Sequence, residues 1–169
     1  MLINKSDNIK LINEENKEID YYFNPPKISS DTKEHYIAIL NIPKIKLKKG
    51  LYNKKSHLND VNKNIKILNE SVMPNIENGN LILASHSGTS SISFFKNLDK
   101  LSINDDLIIY YEKEKYIYKL VNIYKVNKTG SIEIIRNPNR RTLSLITCDK
   151  VDKTKQVVYI SELDKIESF

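Results

Sequence analysis

From His35 onward, the sequence breaks into short apolar runs rich in Ile, Tyr, Val and Leu, separated by Asn, Gly, Pro and Lys. Such spacing is typical of successive β-strands. The candidate strands are residues 36–42, 45–51, 79–85, 106–112, 115–126, 131–136, 142–147 and 156–162. Eight short strands predict a mainly β fold, an eight-stranded closed barrel in which no sheet edge is left unpaired. Residues 61–68 and 92–101 have the apolar spacing of short helices between these strands.

The first 33 residues differ from this body because they are polar and rich in Asn, Lys and Glu. A short helix is predicted over residues 8–22. Asn24-Pro25-Pro26 ends it, because proline lacks the backbone N–H that a helix needs. The sequence therefore predicts an N-terminal helical arm over residues 1–33 and one barrel domain over residues 34–169.

The chain carries a formal net charge of +6 and has a pI near 9.2, a balance that would suit an anionic partner. Its lysines are spread along the whole chain and include no compact arginine-rich block, which favours a solvated surface over a dedicated binding patch. The tyrosines from Tyr110 to Tyr124 are better explained by strand packing than by base stacking. No nucleic-acid partner is expected.

No stretch of the chain approaches the ~18 apolar residues that a membrane-spanning helix needs. Residues 1–10 also lack the apolar run of a signal peptide. Two explanations stay open from the sequence alone. The protein is soluble by nature, or an anchoring segment has been removed from it.

The only cysteine, Cys148, ends a run of strand-forming residues and is followed at once by a charged, loop-like stretch. A single cysteine cannot form an internal disulfide, so a role beyond packing would be that of a nucleophile or a ligand. The alternative is a small buried core residue, since free cysteine is among the most buried residue types. Both interpretations remain open on spacing alone.

Of the three histidines, His86 lies at the end of the apolar run at residues 80–85, matching the position of Cys148 at the end of its own strand. A thiol with an imidazole nearby is the minimum equipment for nucleophilic acyl transfer. His35 and His57 lack such a setting and are interpreted as surface or packing residues. No Cys-x-x-Cys, His-x-x-x-His or glycine-rich phosphate motif is present, so neither a metal nor a cofactor is expected.

Three segments, in this order, resemble those of the sortases, which are cysteine transpeptidases of Gram-positive cell surfaces. They are residues 40–45 (LNIPKI), 80–87 (NLILASHS) and 142–148 (TLSLITC). Met73-Pro74 before the histidine strand and residues 94–98 (FFKNL) after it extend the resemblance, which covers about residues 35–164. It implies a sortase-like closed barrel.

The resemblance implies that Cys148 is the nucleophile and that His86 is its acid–base partner. Thr147, just before the nucleophile, and Ser87, just after the histidine, are expected to line the substrate groove. The loop at residues 127–141 is expected to form the wall of the substrate groove that determines specificity.

The sequence departs from the family at the third catalytic position, because the strand after the cysteine contains no arginine. Depending on the sortase class used for matching, the arginine position falls on Gln156 or on Lys155. Lysine would supply a charged donor and glutamine a neutral one, but neither has the planar fork of arginine. Three arginines lie before the cysteine strand and would need a different geometry: Arg136, Arg140 and Arg141.

The resemblance also implies the partners. The first substrate would be a surface protein with a C-terminal LPXTG-like sorting motif, and the second a peptidoglycan precursor amine or a pilin lysine. Such an enzyme works at the extracytoplasmic face of the membrane, here attached only through an anchor absent from this chain. Many pilin-polymerising members carry an Asp-Pro-aromatic lid, whereas this chain has Asn24-Pro25-Pro26, which favours anchoring of surface proteins over polymerisation.

Two other functions remain compatible with the sequence. A cysteine hydrolase would release the same acyl group to water, since the acceptor alone decides that outcome. A β-barrel binding module would keep the cysteine only as a core residue. The absence of the family arginine supports this alternative.

Overall fold

A computed structural model describes residues 35–169 of the chain. The predicted arm at residues 1–33 and its helix at residues 8–22 lie outside the described residues. No helix in the described part has the length and apolar character needed to cross a membrane.

One eight-stranded sheet curls into a nearly closed barrel, which confirms the predicted mainly β fold class. The strands are β1 (Ala38–Ile42), β2 (Leu47–Leu51), β3 (Lys66–Ile67), β4 (Asn80–Ala84), β5 (Asp106–Tyr111), β6 (Glu114–Asn127), β7 (Thr142–Cys148) and β8 (Lys155–Ser168). Their order across the sheet is β2-β1-β5-β6-β8-β7-β4-β3. Two short 3₁₀ helices cover Pro43–Ile45 and Leu98–Lys100.

Three of the predicted elements are wrong. Residues 131–136 form part of the β6–β7 connection instead of a strand, because their alternating apolar side chains pack on the barrel without joining a backbone ladder. The predicted helix at residues 61–68 is a turn followed by β3, and the predicted helix at residues 92–101 is a series of turns ending in a 3₁₀ helix.

The end strands β2 and β3 do not pair with each other, and a buried side chain bridges the gap between them. Asn64, two residues before β3, donates from Nδ2 to the carbonyl oxygen of Gly50 in β2, at 2.8 Å. Gly50 has no room for a side chain, since a Cβ there would lie 2.2 Å from the ring of Tyr36. The barrel is therefore completed by side-chain contacts where its backbone ladder stops.

Strands β4 and β7 and residues 157–161 of β8 are buried on both faces, which explains their continuous apolar runs. Alternate residues such as Leu145 and Tyr159 belong to the core inside the barrel. The intervening residues form a second cluster on the outside, which we call the outer cluster: Ile82, Ile146, Val158 and Ile160, with Leu68, Ala84, Tyr124, Val126, Ile132 and Ile134 packed against it.

Candidate active site

Strands β4 and β7 form the only parallel pair among the described strands, and the two predicted catalytic residues lie where these strands end. Parallel strands end at the same edge of a sheet. The ladder pairs Ala84 with Ile146, and His86 and Cys148 each follow one of these paired residues by two positions. The geometry thus brings to one rim two residues that are far apart in sequence.

Side-chain hydrogen bonds hold this register beyond the end of β4. Thr147 Oγ1 donates to the carbonyl oxygen of Ser85 at 2.7 Å, and Ser87 Oγ donates to the carbonyl oxygen of Cys148 at 2.7 Å. Thr147, Ser85 and Ser87 are buried, so these bonds are shielded from water. The segment that carries His86 is therefore tied to the strand that carries Cys148.

His86 is half-buried, and its Nε2 lies 3.2 Å from Oδ1 of Asn62. An amide oxygen only accepts hydrogen bonds, so Nε2 is the donor in this contact. In the neutral ring, the basic lone pair then resides on Nδ1. The carbonyl oxygen of His86 also accepts from the backbone N–H of Phe95, at 3.1 Å. The backbone and the ring of His86 are thus both held in place.

Cys148 is half-buried with a free thiol, and Nζ of Lys128 lies 3.7 Å from its Sγ. Sequence reasoning did not single out Lys128. It is one exposed lysine in a lysine-rich chain, and only its place at the end of β6, beside the rim, brings it to the thiol.

The residue after the cysteine, Asp149, is buried and forms an ion pair with Lys125, whose Nζ lies 2.9 Å from Oδ2. The hydrogen bond from Lys125 holds the pKa of the Asp149 carboxyl below its ordinary value, and the backbone N–H of Val151 acts in the same direction. The backbone N–H of Asp149 donates to the carbonyl oxygen of Lys155 at 3.0 Å. Asp149 thereby fixes the start of the β7–β8 connection.

The two residues predicted for the arginine position point to different faces of the sheet. Gln156 pairs directly with Cys148 in the β7–β8 ladder, and opposite residues of an antiparallel pair share a face. Lys155 pairs with Asn127 and precedes Val157, which belongs to the inner core, so its side chain is on the other face. The structure thus brings Gln156, and not Lys155, to the face that carries Cys148.

The arginines before the cysteine strand do not reach the thiol. Arg136 donates to Oγ1 of Thr142, the first residue of β7, at 3.0 Å. Arg140 donates to the carbonyl oxygen of Leu163, and Arg141 to that of Pro74. Since β7 has seven residues, its first residue lies about 20 Å from Cys148.

A pocket of about 310 Å³ opens beside Cys148 at the end of the barrel. Both residues predicted to line a substrate groove, Thr147 and Ser87, contribute to its wall. Val157 and Tyr159 are among its apolar lining residues, and burial raises the pKa of Tyr159 to about 12. No group of three or more His, Cys, Asp or Glu side chains within residues 35–169 is arranged to hold a metal ion, and His35 and His57 are exposed.

A barrel that carries a thiol and an imidazole at one rim has the parts of a cysteine-dependent acyl-transfer enzyme. Residues 40–164 match the family model of the sortase domain. Because this match spans well over half of the chain, the chain belongs to the sortase family, and it is a sortase-type cysteine transpeptidase. No curated protein matches the sequence significantly.

Solved structures of several sortase classes share the fold. Sortase A from Listeria monocytogenes is 22% identical with a TM-score of 0.66, and the match covers 79% of this chain and 90% of that one. A sortase D5 transpeptidase from Clostridium perfringens is 22% identical, with a TM-score of 0.65 and coverage of 91% and 89%. Sortase C1 from Streptococcus agalactiae is 23% identical, with a TM-score of 0.67 and coverage of 96% and 92%. These similarities confirm the predicted sortase-like barrel.

Proposed function

We propose that this sortase cleaves an LPXTG-like sorting motif through a thioester on Cys148 and transfers the released protein to an amine. The single observation that carries the proposal is the register of the β4–β7 pair, which brings His86 and Cys148 to one rim. Both residues are half-buried, so a peptide can reach them from solvent.

The proposed reaction begins when the Cys148 thiol gives its proton to His86 and the sulfur attacks the carbonyl carbon of the motif threonine. The C–S bond forms, and the electrons of the C=O double bond move to oxygen. As the carbonyl is restored, the C–N bond breaks and His86 protonates the departing amine. A second amine then attacks the thioester and loses its proton to the imidazole. The new C–N bond forms, the C–S bond breaks, and the sulfur leaves as a thiolate, to which the imidazolium can return the proton.

Gln156 is the proposed neutral substitute for the family arginine. Its place opposite Cys148 supports this role, because an amide donor there lies on the face that carries the thiol, where we expect the oxyanion to develop. A single oxyanion donor is typically worth ~10²- to 10³-fold in rate. A neutral amide offers less than a charged planar fork, and we expect it to orient the substrate less firmly.

The half-buried margin of the outer cluster beside the rim is the proposed binding surface for the apolar part of the motif, because the central residues of the cluster are already buried. Ala84 and Ile146 precede His86 and Cys148 by two residues and lie on the same face. Ile132 and Ile134 of the β6–β7 connection pack against this surface from one side. An extended peptide has apolar and polar side chains on alternate faces, so it can bury one set here while its threonine carbonyl reaches the thiol.

We propose that the substrates are surface proteins with a C-terminal sorting motif and that the acceptor is a peptidoglycan precursor amine, with a pilin lysine as the alternative. Sortases act at the cell surface or the outer face of the membrane. The Asn24-Pro25-Pro26 sequence supports anchoring over polymerisation, because it lacks the Asp-Pro-aromatic lid of many pilin-polymerising members.

The decisive experiment incubates the protein with a panel of labelled LPXTG-like pentapeptides, with and without an amine acceptor, and follows intact mass. A mass increase on the wild type that is lost in Cys148→Ala, and an amine-linked product that forms only with acceptor, would support transpeptidation. His86→Ala should abolish turnover, whereas the matched control His57→Ala, which removes an exposed histidine, should not.

The alternatives predict different results. A cysteine hydrolase would form the thioester but give the same free acid with or without acceptor. A binding module would retain peptide without any covalent adduct, and a peptide vinyl sulfone would then fail to label Cys148. Either result would overturn the proposed transfer reaction.

A further inference from the structure

The thiol has a cationic neighbour that comes from outside the β8 strand. Position 156, in register with Cys148, holds a neutral glutamine. Nζ of Lys128 lies 3.7 Å from Sγ of Cys148, within hydrogen-bond reach for a sulfur acceptor. A positive charge this close favours the thiolate over the thiol, and the thiolate is the form that attacks.

The backbone holds Lys128 near the sulfur. Lys128 follows the last residue of β6, and its N–H donates to the carbonyl oxygen of Thr154 at 2.8 Å. Thr154 immediately precedes β8, whose second residue, Gln156, pairs with Cys148. The Cα of Lys128 is thus tied to the same strand that frames the thiol, and only its flexible side chain has to be ordered.

The carboxylates beside the cysteine do not compete for this lysine. Asp149 forms its ion pair with Lys125 at 2.9 Å. Asp152 accepts two hydrogen bonds from Thr154, from the backbone N–H at 3.0 Å and from Oγ1 at 2.5 Å. Since both carboxylates have other partners, the charge of Lys128 is available to the sulfur.

We propose that Lys128 supplies the fixed positive charge that stabilises the Cys148 thiolate in this sortase, a task that rests on the proposed function of Cys148 as nucleophile. The proton of the thiol goes to His86, and Lys128 exchanges no proton in the proposed step. When the C–S bond forms, the sulfur lone pair enters that bond and the negative charge moves to the carbonyl oxygen. The thioester that follows is neutral at sulfur, so the stabilisation applies to the free enzyme and is released on acylation.

The test measures the rate of Cys148 alkylation by iodoacetamide at pH 7, which requires no substrate and no oxyanion. Cys148 is the only cysteine, so the mass increase reports on this thiol alone. Lys128→Met removes the charge while keeping the chain length, and Lys128→Arg keeps the charge. The control is Lys153→Met, an exposed lysine in the neighbouring β7–β8 connection.

Lys128→Met should slow alkylation about two- to fivefold, the range for an exposed charge pair. Lys128→Arg and Lys153→Met should stay close to the wild type. In 1 M salt, where the screening length falls to about 3 Å, the difference between wild type and Lys128→Met should shrink. Wild-type reactivity of Lys128→Met at low salt, or an equal loss in Lys153→Met, would overturn the inference.

This result is separable from that of the peptide experiment. If peptides form the acyl-enzyme normally but alkylation does not depend on Lys128, the role of Lys128 is wrong and the proposed function stands. If alkylation depends on Lys128 but no peptide forms an adduct, the charge effect stands and the proposed substrate class is wrong.

Discussion

Gln156 lies directly opposite Cys148 in the β7–β8 ladder, at one of the two positions where the family resemblance predicts an arginine. We expect Gln156→Ala to lower the rate of acyl-enzyme formation by roughly tenfold or more, because it removes an amide donor near the developing oxyanion. Gln156→Arg should raise the rate above wild type, since it restores a charged, forked donor. Stopped reactions analysed by mass spectrometry would measure both.

Lys155→Ala provides the matched control for Gln156→Ala because it changes the adjacent residue, whose side chain is on the other face of β8. We expect its acylation rate to stay within about twofold of wild type, because the side chain that is removed lies on the face away from the thiol. Equal rates for wild type, Lys155→Ala and Gln156→Ala would show that neither residue assists the oxyanion.

Asn62 should affect the catalytic rate by orienting His86. Its Oδ1 accepts from Nε2 of the imidazole at 3.2 Å, and this contact orients the ring. Asn62→Ala should lower kcat by a factor of about three to ten with little change in KM, as expected for a lost hydrogen bond of ~1 kcal/mol. Asn53→Ala, in the same β2–β3 connection, is the control. A raised KM at unchanged kcat would place Asn62 in substrate binding instead.

Tyr124 should control peptide affinity, because its hydroxyl fixes the β6–β7 connection. The hydroxyl donates to the carbonyl oxygen of Glu133 and accepts from the N–H of Ile135, both at 2.8 Å. Tyr124→Phe removes both bonds next to Ile134 of the outer cluster. We expect KM for the sorting peptide to rise several-fold while the iodoacetamide reactivity of Cys148 is unchanged. An unchanged KM would argue against the outer cluster as the peptide site.

Tyr118→Phe should stabilise the protein. The Tyr118 hydroxyl is buried and has no hydrogen-bond partner among residues 35–169, and burial raises the pKa of its phenol. Removing an unsatisfied buried hydroxyl should raise the free energy of unfolding by about 1 kcal/mol, measured by urea titration. Tyr124→Phe is the matched comparison, because it loses two satisfied bonds and should destabilise. A lower stability for Tyr118→Phe would reveal a missing partner for that hydroxyl.

Alkaline stability should depend on Tyr159. Burial raises the pKa of Tyr159 from 10.0 to about 12, so its neutral form is favoured in the folded state. The resulting contribution of Tyr159 to the free energy of unfolding is fully present below pH 10 and is lost as the pH rises towards 12. Tyr159→Phe should therefore lose less stability than wild type between pH 10 and 12, as followed by thermal unfolding. Identical losses would show that Tyr159 does not contribute to alkaline unfolding.

The sequence predicted the strands that are buried on both faces, because a short uninterrupted apolar run is typical of a buried strand. It also located His86 and Cys148, each of which follows such a run. It mistook residues 131–136 for a strand, since alternating Ile132 and Ile134 meet the surface of the barrel in the same way as a strand does. Apolar periodicity reports burial and says nothing of ladder hydrogen bonds.

Contacts between side chains from distant connections could not be predicted from the sequence. Asn62 meets His86 from the β2–β3 connection, and Lys128 meets Cys148 from the end of β6. Neither residue has a distinctive neighbourhood in the sequence, because polar residues in connections are common. The choice between Gln156 and Lys155 likewise needed the strand register, which a shift of one residue would invert.

The parallel β4–β7 pair also affects when the site can form during synthesis and folding. Its partners are separated by 62 positions, with β5 and β6 between them in the chain, so the pair closes one of the longest loops in the barrel. Non-local pairing of this kind is slow, because chain entropy is lost before the contact is gained. The proposed nucleophile and its proposed proton carrier therefore come together only after the strands between them have been synthesised and arranged, so we expect a chain that lacks the β4–β7 pair to carry an unactivated thiol.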